Sequence, residues 1–499
     1  MLFNSYVFIF AFLPIALLGY AFVSRTAPRP FALAWLVLCS LFYYGWWNPN
    51  YLPLLAFSML FNFAVGASLS ARPPGRYKQA LLTLGVATNL ALIGYYKYAA
   101  FIAATVAAVT GQPWSSTEIL LPLAISFFTF QQIAYLVDAY RGLVREYNFI
   151  DYCLFVTFFP QLIAGPIVHH SEMLPQFKRD QAARPQARNF AIGLSIFTIG
   201  LFKKVILADT AAGFATPVFD AADAASAITF ADAWLATLAF TLQLYFDFSG
   251  YSDMAIGIAR LFGIRLPLNF NSPYKATSVD DFWRRWHITL SRFLRDYLYI
   301  PLGGNRRGKP RRYLNLMITM LLGGLWHGAG WTFVIWGALH GLYLCINHGW
   351  AAIRRHFNVR PVSETSLGAP LAVLLTFLAV TVAWVFFRAS SLAAATRIFA
   401  AMAGAAPADA RPILDLPQVT PWIAVLLTIV WLLPNTQQIM AAYRPALREE
   451  DRYRPRRAQQ PILPVKWQPT WHWALGLACV AVVTIAMMSK YSEFIYYDF

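Results

Sequence analysis

His327 sits in an apolar run, Leu325-Trp326-His327-Gly328-Ala329-Gly330-Trp331. An imidazole with an unperturbed pKa near 6.5 can take and return a proton close to neutrality, which suits general-base work on a hydroxyl. Burying an ionisable group inside a membrane-spanning stretch costs a few kcal/mol, so such a group marks a site unless its neighbours satisfy it. Gly323, Gly324, Gly328 and Gly330 strip away side chains and would let a substrate or a second helix approach the backbone. Trp326, Trp331 and Trp336 would wall the position. The same spacing equally fits a histidine hydrogen-bonded inside a helix bundle, with no chemistry.

A second imidazole, His287, closes the run Trp283-Arg284-Arg285-Trp286-His287. At helical spacing Trp283, Trp286, Leu290, Phe293 and Tyr297 form an apolar stripe, and Arg284, His287, Ser291 and Arg295 a polar one. Such a helix would lie along the cytoplasmic interface or line the mouth of a cavity. Arg284, Arg285 and Arg295 belong to a cluster reaching Arg312 that would attract a phosphate-bearing anionic donor. Anchoring to anionic lipid headgroups uses the same chemistry. No metal is expected: HExxH is absent, His169 and His170 are adjacent, and His340 has no acidic partner nearby. Neither G-x-S-x-G nor a Walker A pattern occurs. Asp247 and Asp253 read as carboxylates at a helix end that could line a pocket but are better taken to cap the helix and pair with the arginines that follow.

Those residues need a membrane scaffold around them. The chain has 499 residues, 58% hydrophobic and 13% charged, with a mean hydropathy of +0.50. A soluble chain carries roughly 25% charged residues, so about half the usual charge is missing. Apolar runs recur from end to end, many flanked by aromatic residues as interface belts are. This is the pattern of an all-α polytopic membrane protein. The net charge of +17 lies in short loops between the runs. Positive-inside orientation accounts for it, and nucleic acid is not an expected partner. Cys39, Cys153, Cys345 and Cys479 lack metal or redox spacing and are expected as reduced thiols. The first basic residue is Arg25, so the first run is expected as a retained helix rather than a cleaved signal.

Spans are expected at 5–23, 31–47, 51–70, 80–97, 119–138, 190–208, 228–248, 369–387, 420–434 and 471–489. Arg25, Arg29, Arg72, Arg76, Lys78, Arg141 and Arg145 alternate with the uncharged stretches 48–50 and 105–116, which puts odd loops in the cytoplasm and the N-terminus outside. The acidic stretch Asp209 to Asp223 suits the outer face. The loop Arg444 to Lys466 reads as cytoplasmic, and Tyr496 to Phe499 as ending outside. Residues 151–168 lie between Arg145 and the basic group Lys178, Arg179, Arg184 and Arg188. Pro160, Gly165 and Pro166 interrupt them, as in a re-entrant hairpin. Residues 313–347 also start and end beside positive charge and are expected as two short helical arms broken at Gly328-Ala329-Gly330. No internal or inverted repeat is visible. The reading is one membrane-embedded domain over 1–499, with a catalytic core at about 119–348.

Five stretches together resemble the membrane-bound O-acyltransferase family, in its alginate O-acetylation branch. They are Leu121 to Gly142 (LPLAISFFTFQQIAYLVDAYRG), Phe159 to Phe177 (FPQLIAGPIVHHSEMLPQF) and Leu242 to Asp253 (LQLYFDFSGYSD). Phe282 to Gly304 (FWRRWHITLSRFLRDYLYIPLGG) and Leu325 to Gly341 (LWHGAGWTFVIWGALHG) complete the set in the family's order. The resemblance implies a ring of about eleven tilted transmembrane helices, with re-entrant and interfacial helices, around a central tunnel. His327 matches the family's near-invariant catalytic histidine, and His287 the second histidine of the bacterial branch.

The implied activity is an inner-membrane O-acyltransferase. It would move acetyl from a cytoplasmic thioester, acetyl-CoA or a carrier-protein thioester, toward an exopolysaccharide such as alginate or cellulose. Peptidoglycan or another glycan is the alternative acceptor. Arg284, Arg285, Arg295 and Trp326 would form the donor funnel, with no bound cofactor. The implied partners are membrane lipids, a separate periplasmic acetyltransferase and a polysaccharide synthase complex. A transporter or flippase would instead show paired intramembrane charges or repeats, and a non-enzymatic scaffold would tolerate loss of His327.

Overall fold

The computed structural model describes residues 1–112, 119–144, 148–163, 165–178, 186–405, 407, 410–447, 463, 465–488 and 495. Arg145, Arg179 and Arg184, most of the loop Arg444 to Lys466, and the end Tyr496 to Phe499 lie outside the described residues. Among the described residues the fold is all helical, apart from one isolated bridge between Pro267 and Leu447. Phe8–Thr26, Pro49–Ser70, Arg76–Thr110, Ala187–Asp223 and Gly368–Arg388 are long and apolar enough to cross a bilayer. Leu392–Met402, Leu416–Leu432 and Trp471–Ala486 are apolar but shorter. That compares with the roughly eleven crossings of the expected ring.

The chain forms two compact units. The first comprises Met1–Phe197, Met254–Pro267 and Pro445–Leu447. In it Phe8, Phe12, Tyr43 and Phe159 form one aromatic cluster. The Asn62 and Asn89 amides bond each other at 2.7 Å, satisfying two buried polar groups that lipid could not. The run at 151–168 is broken as expected. A helix over Phe149–Thr157 stops at Phe158, a single turn follows at Phe159–Leu162, and both are almost wholly buried.

Three expectations are corrected. The helix expected at 80–97 runs on to Thr110 through a π turn at Gly94–Tyr98. The alanine-rich segment after it favours helix, and the stop comes at left-handed Gly111 (φ 69°). Asp209 to Asp223 is likewise helical, continuing from 187 through a second π turn at Lys203–Ala208. The helix expected at 228–248 runs over Phe230–Leu261, so Asp247 and Asp253 lie within a helix rather than at its end.

Thr198–Asp253, Leu268–Arg444 and Arg448–Phe499 make up the second unit. Asp247 and Asp253 do not pair with the following arginines. Lys204 Nζ lies 2.8 Å from Asp247 and 2.9 Å from Asp209, and Lys203 Nζ lies 2.9 Å from Asp253. Thr436 Oγ1 donates to Asp253 at 2.6 Å. Charges this deeply buried need such partners, because an unpaired one would carry its whole desolvation cost.

Candidate active site

The Gly308–His327 and Trp331–His356 helices form a hairpin whose arms are 20 and 26 residues long, longer than the short arms expected. The break falls at 328–330, where Gly328 and Gly330 are extended (φ −157° and −163°). The arms meet through glycines: Gly324 and Gly337 touch backbone to backbone, and Gly341 lies against Met317. His327 is the last residue of the first arm and is 2% exposed. Its ring packs edge-on against Trp326 (4.9 Å between centroids), Trp336 (5.0 Å) and Phe387 (5.3 Å).

His287 is not on the polar face of a continuous helix. The expected helix divides into Val279–Trp283 and Ile288–Leu294, and His287 between them has a left-handed backbone (φ 41°, ψ 53°). Burial of Trp283 and Trp286, together with the path of residues 269–271, forces the interruption. Ile288 N–H donates to the Asn269 carbonyl and Asn271 N–H to the Arg285 carbonyl, both at 2.9 Å. His287 is thereby fully buried, its ring 6.3 Å from that of His327 and 6.1 Å from Trp326. Phe248 meets it edge-on at 4.8 Å. A left-handed backbone at a non-glycine residue stores strain, of order 1–3 kcal/mol, and such strain clusters at functional sites.

The funnel residues divide. The Arg284 side chain is 62% exposed and pairs with Asp280 at 2.7 Å, and Arg295 is 43% exposed and pairs with Asp296 at 2.7 Å. Both remain within reach of an anion. Arg285 is 2% exposed, bonded to Asp281 at 2.9 Å and to the Asn271 carbonyl at 3.1 Å, so its guanidinium holds the chain together. Trp326 lies in the inner aromatic cluster rather than at an open mouth, being 4% exposed. No group of three or more His, Cys, Asp or Glu side chains suited to a metal occurs among the described residues.

Two residues of this region were not legible beforehand as parts of it. Asn269, remote in sequence from His287, brings its side-chain Oδ1 to 3.1 Å from His287 Nδ1. His340 is fully buried among Trp283 (5.1 Å), Trp336 (4.8 Å) and Phe282 (6.0 Å), and neither ring nitrogen has a hydrogen-bond partner among the described residues. A buried polar group without a partner costs about 1–3 kcal/mol. His340→Phe is therefore expected to raise the thermal unfolding midpoint in detergent; a lowered midpoint would mean that the imidazole is satisfied.

The sequence profile of the membrane-bound O-acyltransferase family, MBOAT, matches residues 139–392. The chain belongs to that family. The match takes in both histidines, their aromatic surroundings and the glycine hairpin. A peptidoglycan O-acetyltransferase from Helicobacter pylori is 49% identical over 430 residues, covering 81% of this chain and 80% of the relative. A probable alginate O-acetylase AlgI from Azotobacter vinelandii is 44% identical over 408 residues, covering 81% and 78%. A teichoic acid D-alanyltransferase from Streptococcus thermophilus is 27% identical over 284 residues, covering 53% and 68%. This MBOAT chain is thus a membrane-embedded O-acyltransferase.

Proposed function

We propose that the protein transfers an acetyl group from a cytoplasmic thioester, acetyl-CoA, toward a glycan outside the bacterial inner membrane, with both chain termini on the outer side. The observation that carries this reading is the pair of buried imidazoles, His287 and His327, 6.3 Å apart inside a shell of aromatic rings. In that reading His327 removes the proton from the attacking hydroxyl. The new C–O bond forms as the C–S bond breaks, and the proton passes to the departing thiolate. His287 orients the reacting group or assists that proton transfer. The aromatic shell excludes water that would otherwise hydrolyse the thioester. Arg284 and Arg295, the exposed members of the cluster, attract the phosphates of the donor.

Relatives named for peptidoglycan and for alginate leave the acceptor as a glycan class. Completion of transfer on the outer side would fall to a separate periplasmic acetyltransferase working with a polysaccharide synthase. The test is purified protein in phospholipid vesicles that enclose a soluble deacetylated glycan as hydroxyl acceptor, with radiolabelled acetyl-CoA outside. Label is expected to leave CoA faster than in empty vesicles. A rate equal to that of empty vesicles overturns the reading.

A further inference from the structure

We propose that Asn269 is a positioning residue that fixes His287 in one tautomer, with the proton on Nδ1 and the lone pair on Nε2. Asn269 Oδ1 lies 3.1 Å from His287 Nδ1. The same oxygen receives the Thr289 hydroxyl at 2.9 Å and the Thr289 backbone N–H at 3.4 Å. A backbone N–H can only donate, so the atom facing it must be the amide oxygen and not the amide nitrogen. At the other end Asn269 Nδ2 donates to Ser252 Oγ at 3.3 Å, a hydroxyl that would serve either amide orientation, so the Thr289 N–H alone decides it. An amide oxygen can only accept, so His287 Nδ1 must carry hydrogen. Neutral His287 therefore presents an acceptor on the far side of its ring.

The clamp is rigid. Asn269, His287, Thr289 and Ser252 are all at most 2% exposed. The Ile288 N–H bond to the Asn269 carbonyl ties the two segments directly beside the ring. On the imidazole's own segment Arg284 and Arg285 pair with Asp280 and Asp281. On the helix that presents Phe248, Asp247 and Asp253 pair with Lys204 and Lys203. His327 is a titratable group among the ring contacts of His287. The consequence, resting on the acetyl-transfer reading above, is a division of labour. His287 accepts a hydrogen bond or a proton on Nε2, and a tautomer with hydrogen there would block that role.

Two measurements test this. Solid-state NMR of ¹⁵N-histidine-labelled protein in lipid assigns His287 as the resonance pair that disappears in His287→Asn. The expected pattern is protonated Nδ1 with bare Nε2, converting to the opposite or a mixed pattern in Asn269→Leu. Protonated Nε2 in the unsubstituted protein overturns the proposal without touching the acetyl-transfer reading. The second measurement is transfer from radiolabelled acetyl-CoA per folded molecule, counted by gel filtration in detergent. Asn269→Leu is expected to lower kcat at least tenfold with KM for the donor unchanged. Asn269→Asp keeps the acceptor and is expected to recover activity, with the acid limb of its rate profile moved to higher pH. The added carboxylate favours the charged imidazole, which then loses its proton only at higher pH. Wild-type kcat in folded Asn269→Leu, or an unmoved profile in Asn269→Asp, overturns the proposal. If unsubstituted protein transfers no acetyl, the function fails while the tautomer result stands.

Discussion

Replacing His327 by alanine is expected to lower acetyl transfer by about 10²- to 10⁴-fold, the contribution typical of a positioned general acid or base. The ring sits where the first arm of the glycine hairpin ends, held by Trp326, Trp336 and Phe387. Truncation removes the imidazole and leaves a gap between three large aromatic rings that cannot easily collapse. Some loss of stability therefore accompanies the loss of rate. His327→Gln fills more of that space without supplying a base and separates the two effects. Both variants are to be compared with wild type in vesicles, per folded molecule, at saturating acetyl-CoA. A rate within threefold of wild type for either would remove His327 from the proton-transfer role.

Gly337→Val is expected to prevent accumulation of folded protein. A Cβ at 337 would collide with the Met320 backbone carbonyl and come within 3.2 Å of the Gly324 Cα. Neither obstacle is a side-chain tip that can swing aside, so relief requires the two arms to separate along their length. Overpacking in a core with some give costs about 1–3 kcal/mol, and here there is no such give. Small residues at a helix crossing are also what lets membrane helices gain close packing. Gly349, on the same helix, has nothing within 4 Å of where a Cβ would stand. Gly349→Val is thus the control, and monodisperse yield in detergent is the readout. Equal yields for the two variants would show that the close crossing is dispensable.

How much of this could be read from the chain depends on whether the controlling contact is local. The break at 328–330 was legible because two glycines in three residues interrupt an apolar run, and the structure breaks there. The interrupted run at 151–168 was legible for the same reason, through Pro160. His287 was misread because helical spacing puts it beside Arg284 and Ser291. The contact that decides its conformation comes from the remote Asn269, which no periodicity reveals. Asp247 and Asp253 were matched to the nearest arginines in sequence, whereas their counter-charges, Lys203 and Lys204, arrive on another helix. Arg285 looked equivalent to Arg284 in a basic cluster. Burial beside Asp281 separates the two.

The backbone at 287 also restricts which amino acids the chain could carry there. A β-branched residue would meet steric opposition before its chemistry mattered, while asparagine or glycine would accept the same torsion angles. Saturation mutagenesis at this codon should therefore give two separable penalties. Valine and isoleucine would be depleted already at the level of protein abundance. Asparagine would be depleted only when the selection demands turnover.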